Sequence, residues 1–245
     1  MYEFHDGNFG APGMKRQKKT KPTPEQKKKW NRMEKVRRCK RQLIQYFDPG
    51  DLFVTWTYSK ENRPPDMKQA LKDFQKAIRK VKREYQKQGQ ELRWIRNIEK
   101  GTRGAWHVHI VVNEIGDSAA IMERAWEHGT MNISKIRKNP EVGEDFNKLA
   151  SYLTKDEQTR DKKKDGTEAE PRIRESNYST SRNMPIPEAK KKPLKRWRED
   201  PFVKKGYYLA ENYDGINPIN GFRYRRYTLI RLGGEKDADR YKYLC

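Results

Sequence analysis

Two histidines separated by one residue, His107 and His109 in the run Trp106–Asn113 (WHVHIVVN), carry the clearest chemical spacing in the chain. In a β-strand successive side chains point to opposite faces, so both imidazoles project from one face while Val108 enters the other. Two imidazoles a strand repeat apart can ligate one metal ion, although such a pair also occurs as structural or surface histidines. Glu99 closes the preceding run, Leu92–Glu99, and presents a carboxylate to the same face if the hairpin register sets it opposite His107. A second spacing is Tyr152-Leu153-Thr154-Lys155. On a helix, positions i and i+3 are neighbours, so the phenol and the ammonium share a face. A tyrosine oxygen attacks phosphorus once its proton is lost, and a nearby ammonium favours the phenolate.

Several elements must position these groups. Leu52–Tyr58 (LFVTWTY) is β-branched and aromatic and predicts a strand, with Thr55 and Thr57 on its small polar face. Pro64-Pro65-Asp66 opens a helix to about Gln88, stopped by Gly89, whose apolar stripe is Met67, Leu71, Phe74, Ile78, Val81 and Tyr85. The runs Leu92–Glu99 and Trp106–Asn113 predict a hairpin through Gly101 and Gly104. A helix over Ser118–His128, a strand over Met131–Ile136 and a helix from Gly143 to about Glu157 come next. This order predicts an α+β fold, an antiparallel ferredoxin-like or RRM-like sheet with helices packed on one face.

Around that core the chain divides by composition. Residues 1–24 read as a basic disordered arm, and 25–158 as the core with a preceding helix over Glu25–Phe47, in which Trp30, Met33, Leu43, Ile44 and Phe47 are available to dock. Residues 159–200 are charged and poor in apolar side chains and read as extended. Residues 201–245 regain aromatic residues and predict a small β-rich C-terminal element packing on the core. Of 245 residues, 56 are Lys or Arg and 34 are Asp or Glu, a net charge of +22. Lys15–Arg41 alone holds 14 Lys and Arg against Glu25 and Glu34, net +12. Such a chain is expected to meet a polyanion, most plausibly nucleic acid. Only 33% of residues are hydrophobic, and no run approaches the ~18 apolar residues of a membrane span. Cys39 and Cys245 make neither a disulfide framework nor a cysteine-based zinc site. The N-terminus lacks an apolar secretion segment, so a cytoplasmic location is expected.

Taken in order, the strand LFVTWTY, a carboxylate ahead of His-Val-His and the later Tyr-x-x-Lys resemble the HUH endonuclease superfamily, and within it the single-tyrosine rolling-circle replication initiators of bacterial plasmids and phages. The resemblance covers about Leu52 to Lys155, and Ser179–Met184 (STSRNM) resembles the stretch after the tyrosine helix in some prokaryotic members. It implies His107, His109 and Glu99 as ligands of a divalent ion, Mn²⁺ or Mg²⁺, with Tyr152 as nucleophile and Lys155 as its helper. It also implies contact with single-stranded DNA at a replication origin, for which Thr55, Thr57, Arg103 and Arg182 are candidates, and Trp56, Tyr58, Trp94 or Trp106 would stack bases where exposed. The implied activity is nicking through a 5′-phosphotyrosine with release of a 3′-OH primer. No phosphate-binding Gly-x-x-x-x-Gly-Lys-Ser/Thr loop is present, so a separate helicase and polymerase are expected as partners. A relaxase or transposase of the same superfamily, a non-catalytic RRM-like binder and a water-using nuclease are the alternatives.

Overall fold

The structure, a computed structural model, describes residues 1–5, 21–137, 144–160, 163, 166–186, 190–194, 197–216 and 223–231. Most of the basic arm, including Lys15–Lys19, lies outside these residues, as do Gly143, much of the two lysine runs after Asp156, and Cys245. In chain order the elements are β1 (Tyr2–His5), α1 (Pro24–Tyr46), β2 (Leu52–Tyr58), α2 (Met67–Lys87), β3 (Trp94–Gly101), β4 (Trp106–Val112), α3 (Ser118–Ala125), β5 (Gly129–Lys135), α4 (Glu144–Leu153), β6 (Ile173–Thr180), β7 (Lys191–Leu194), β8 (Tyr207–Ile216) and β9 (Arg223–Arg231). They form two compact units, one of Gln42–Pro185 and one of Met1–Arg41 with Ile186–Cys245. No helix among the described residues is long and apolar enough to cross a membrane.

The first unit is built on a five-stranded sheet of order β5-β2-β4-β3-β6 in which every neighbouring pair is antiparallel. The inner four strands with α2 and α3 make the split βαβ arrangement expected of the α+β reading. Alternation divides the sheet. Val54, Trp56, Val108, Ile110 and Ile98 meet Phe74, Val81 and Tyr85 of α2 and Ile121 and Met122 of α3 in one apolar core. Trp56 stacks on Trp126 at 4.9 Å between centroids, and Tyr58 meets Trp126 edge-on at 4.8 Å. Trp56, Tyr58 and Trp106 are therefore core residues, and Trp94 packs partly buried against them. None of the four offers an open face for a base.

Local chemistry explains the element boundaries. Asp66 accepts a hydrogen bond from Gln69 N at 2.8 Å and so caps α2, the reason the helix starts after Pro64-Pro65. Thr23 and Gln26 exchange backbone and side-chain hydrogen bonds across the first turn of α1, a capping box with Pro24 at the first helical position. In α1, Leu43 and Phe47 are buried as expected, whereas Trp30 and Met33 remain exposed.

Two further differences matter. Ile173–Thr180, inside the stretch read as extended, pairs with β3 from Ile95↔Thr180 to Lys100↔Glu175 and adds a fifth strand. Its polar run RESNYST gives little apolar signal because it lies at a sheet edge, where pairing rather than burial sustains a strand. Helices α2 and α3 share the apolar face; α4 instead lies over the polar face, where Tyr152 meets Phe53 and His109. The second unit holds a four-stranded sheet of order β7-β1-β9-β8. Here β1 pairs with β7 in parallel and with β9 antiparallel, a role absent from the arm reading. Its buried Glu3 and Arg225 are ion-paired at 3.7 Å, and Tyr227 donates to Glu3 at 3.0 Å.

Candidate active site

The polar face of the first sheet carries two rows of side chains fixed by register. Thr57 stands opposite His107, which stands opposite Glu99; one step along, Thr55 stands opposite His109, which stands opposite Asn97. The hairpin register that the sequence left open thus sets Glu99 beside His107. Its side chain nevertheless reaches diagonally, placing Oε1 2.9 Å from His109 Nε2. The threonines lie behind the imidazoles: Thr57 Oγ1 is 3.1 Å from His107 Nδ1, and Thr55 Oγ1 is 3.1 Å from His109 Nδ1. With each Nδ1 engaged, both rings present Nε2 to the same side, and they lie nearly parallel at 6.0 Å. Thr55 and Thr57 therefore act on the histidines rather than lying open as a DNA surface.

Tyr152 arrives from the last turn of α4, with its hydroxyl 3.2 Å from His109 Nε2 and its ring edge-on to that imidazole. The helix ends at Leu153, so Lys155 is not a helical residue as the i,i+3 reading supposed. It stays close because its N–H donates to Tyr152 O at 3.3 Å, and its Nζ lies 5.3 Å from the centre of the Tyr152 ring. Asn97, fully buried, donates from Nδ2 to Lys155 O at 3.1 Å and ties the end of the helix to β3. Phe53 stacks on His109 at 6.1 Å and meets Tyr152 edge-on at 5.8 Å. Sequence reading missed Asn97 and Phe53; continuing the alternation from Thr55 and from Glu99 by one repeat would have reached both.

Charge follows from burial and neighbours. Burial raises the Tyr152 phenol, and the Glu99 charge adds to it, pushing it up to about 12. Burial also acts to raise Glu99, but the His109 hydrogen bond and the His109, His107 and Lys155 charges outweigh it and leave the carboxyl below its usual range. Burial, then the His109 charge, lowers His107, so its imidazole is neutral at pH 7. Arg103 is exposed in the β3–β4 turn, and Arg182 is exposed beyond β6. The register puts them at opposite ends of the sheet, since Ser181 N donates to Trp94 O where β3 begins and Arg103 follows where it ends.

Residues 51–157 match the family model for the replication-associated protein ORF2. The match spans Glu99, His107, His109, Tyr152 and Lys155 and associates this region with DNA replication. No curated protein and no solved structure matches the chain.

The side chains fit a divalent ion by donor chemistry, with two Nε2 atoms oriented by their threonines and an ionised carboxylate beside them. As they lie, no three His, Cys, Asp or Glu side chains among the described residues form a ready cage. The His109–Glu99 hydrogen bond occupies the donors that an ion would take.

Proposed function

We propose that this protein is a metal-dependent endonuclease and strand transferase that nicks single-stranded DNA at a replication origin through Tyr152 and so initiates rolling-circle replication. The observation that carries this reading is the Tyr152 hydroxyl 3.2 Å from His109 Nε2, which is itself 2.9 Å from Glu99. A nucleophile is thereby held at the corner of a cation-type donor set, on a region that matches a replication-associated family.

In this mechanism His107, His109 and Glu99 hold Mn²⁺ or Mg²⁺, which when bound neutralises charge on the scissile phosphate. Thr55 and Thr57 fix the imidazole orientation, and Asn97 fixes the backbone that carries Lys155. The ammonium of Lys155 and the packing of Phe53 orient the phenol and favour its ionised form. The Tyr152 oxygen–phosphorus bond forms as the phosphorus–O3′ bond breaks; the phenol loses one proton and the departing 3′ oxygen gains one. The product is a 5′-phosphotyrosine with a free 3′-OH that primes synthesis, and reversal by another 3′-OH rejoins the strand. Unwinding and polymerisation fall to separate proteins of a bacterial cytoplasm.

The test is an SDS-stable adduct with labelled single-stranded origin DNA and Mn²⁺. The wild-type chain is expected to form it. Tyr152→Phe is expected to abolish it while keeping the fold, since the ring contacts persist, and chelation is expected to abolish cleavage. An undiminished adduct with Tyr152→Phe would sink the covalent mechanism.

A further inference from the structure

The unit made from the two ends of the chain carries a surface that the nicking chemistry does not use. Helix α1 holds nine Lys and Arg against two Glu, and its first half keeps two large apolar side chains in the open, Trp30 at 44% and Met33 at 40% exposure. Arg37 follows Trp30 by seven residues, on the same side of the helix two turns on. Cys39, nine residues from Trp30 and so on the opposite side, is buried. A tryptophan left in solvent on a helix this basic is neither core nor an ordinary solvated face.

The β8–β9 hairpin of the same unit presents a matching set. Tyr213 is half exposed and stands opposite Arg226. The Tyr213 and Tyr224 rings lie 6.0 Å apart, and the Arg226 guanidinium lies 5.7 Å from the Tyr224 ring centre. Tyr224 is held in place by what its cross-strand neighbour lacks. A Cβ at Gly215 would meet its Cζ and Oη at 3.0 Å, so the ring lies directly on bare backbone. Arg37 faces this hairpin. Burial holds its guanidinium below the ordinary arginine range, the Arg226 charge adds to this, and Glu34, Tyr224 and Tyr213 act the other way. Glu34 is 3.8 Å from Arg37, but it also serves Arg38 and Arg41. Two guanidiniums are thus drawn together beside two phenol rings, with one shared carboxylate against them.

We propose that Trp30, Met33 and Arg37 of α1 with Tyr213, Tyr224 and Arg226 of the hairpin form a second binding surface for single-stranded DNA, in which phosphates lie on the arginines and bases stack on Trp30 and Tyr213. Cations converging beside flat, exposed rings suit a chain that alternates phosphate with unpaired bases. A duplex would offer only phosphates, leaving the rings unused. The choice of DNA over RNA rests on the proposed nicking function; the surface itself does not.

The test uses the full chain carrying Tyr152→Phe, so that binding is read without cleavage, and a fluorescein-labelled mixed-sequence oligonucleotide of single-stranded DNA. Trp30→Ala with Tyr213→Ala is expected to weaken binding about 5- to 150-fold, the range for losing one stacked base. Arg37→Gln with Arg226→Gln is expected to flatten the slope of log affinity against log salt by about 1.4, at ~0.7 per single-strand phosphate. Of the six tryptophans, Trp30 is the exposed one among the described residues, so DNA is expected to quench a fluorescence component that Trp30→Phe removes. Gly215→Ala, which displaces Tyr224, is expected to weaken binding with the tryptophans intact. Unchanged affinity, slope and quenching in these variants would overturn the proposal, as would tighter binding of duplex DNA or of single-stranded RNA. In the Tyr152-containing chain the same substitutions are expected to leave adduct formation intact at saturating DNA. Loss of the adduct with binding retained strikes the nicking function alone, and retained adduct with unaffected binding strikes this surface alone.

Discussion

At the scale of single residues, the candidate site is a set of groups that hold one another in unfavourable states. Tyr152 is buried against an ionised Glu99, and its phenol is pushed up to about 12. Removing that negative charge relieves the phenolate, so Glu99→Gln is expected to move the Tyr152 titration downward, toward an ordinary tyrosine. Ring-¹³C tyrosine NMR measures it, with the resonance assigned by its absence in Tyr152→Phe; no downward movement would show that burial alone sets the value. Thr57→Val keeps the shape but deprives His107 Nδ1 of its partner at 3.1 Å. It is expected to weaken Mn²⁺ binding about 10- to 100-fold by calorimetry while the thermal midpoint stays near wild type. The residues with distinctive chemistry were legible in the sequence because His-Val-His and Tyr-x-x-Lys carry their geometry in their spacing. Asn97 and Phe53 were not, because an asparagine or a phenylalanine within a strand is ordinary until the register shows what stands opposite it.

At the scale of elements, strands and helices with a strong apolar period were legible and those sustained by pairing were not. The stripe of α2 and the run LFVTWTY reach the core as read, with Phe74, Val81 and Trp56 buried. The α+β class and the split βαβ order follow from them. Strand β6 escaped because its partner is β3, and the bonds that hold it, such as Arg96 to Asn177 Oδ1 at 2.9 Å, join residues 81 apart. Strand β1 escaped for the same reason, since its partners are β7 and β9. The close packing of β5 on β2 gives a test of this level. Gly129 sits opposite Tyr58, and a Cβ there would run into the backbone at Thr57 O and Ser59 N. Gly129→Ala is expected to cost about 1–3 kcal/mol of stability, measured by urea unfolding. A neutral result would mean that the β5 edge shifts freely.

At the scale of the whole molecule, the +22 charge resolves into parts with different duties. The basic arm supplies phosphate contacts, α1 and the β8–β9 hairpin combine charge with exposed rings, and the nicking unit commits few charges to its chemistry. Gln at Lys15, Arg16, Lys18 and Lys19 is expected to lower the salt slope of single-stranded DNA binding by up to about 2.8, at ~0.7 per phosphate, without changing the pH dependence of cleavage. An unchanged slope would remove the arm from the interface. The path of the chain through its two units has a consequence for synthesis. The nicking unit closes when β6 is made at Thr180, whereas β1, made first, has to wait for β7 and β9, which end at Arg231. At about 5–20 residues per second the difference is a few seconds. During that interval a growing chain already holds Tyr152, His107, His109 and Glu99 in one folded unit, while the sheet that bears Tyr213, Tyr224 and Arg226 does not yet exist.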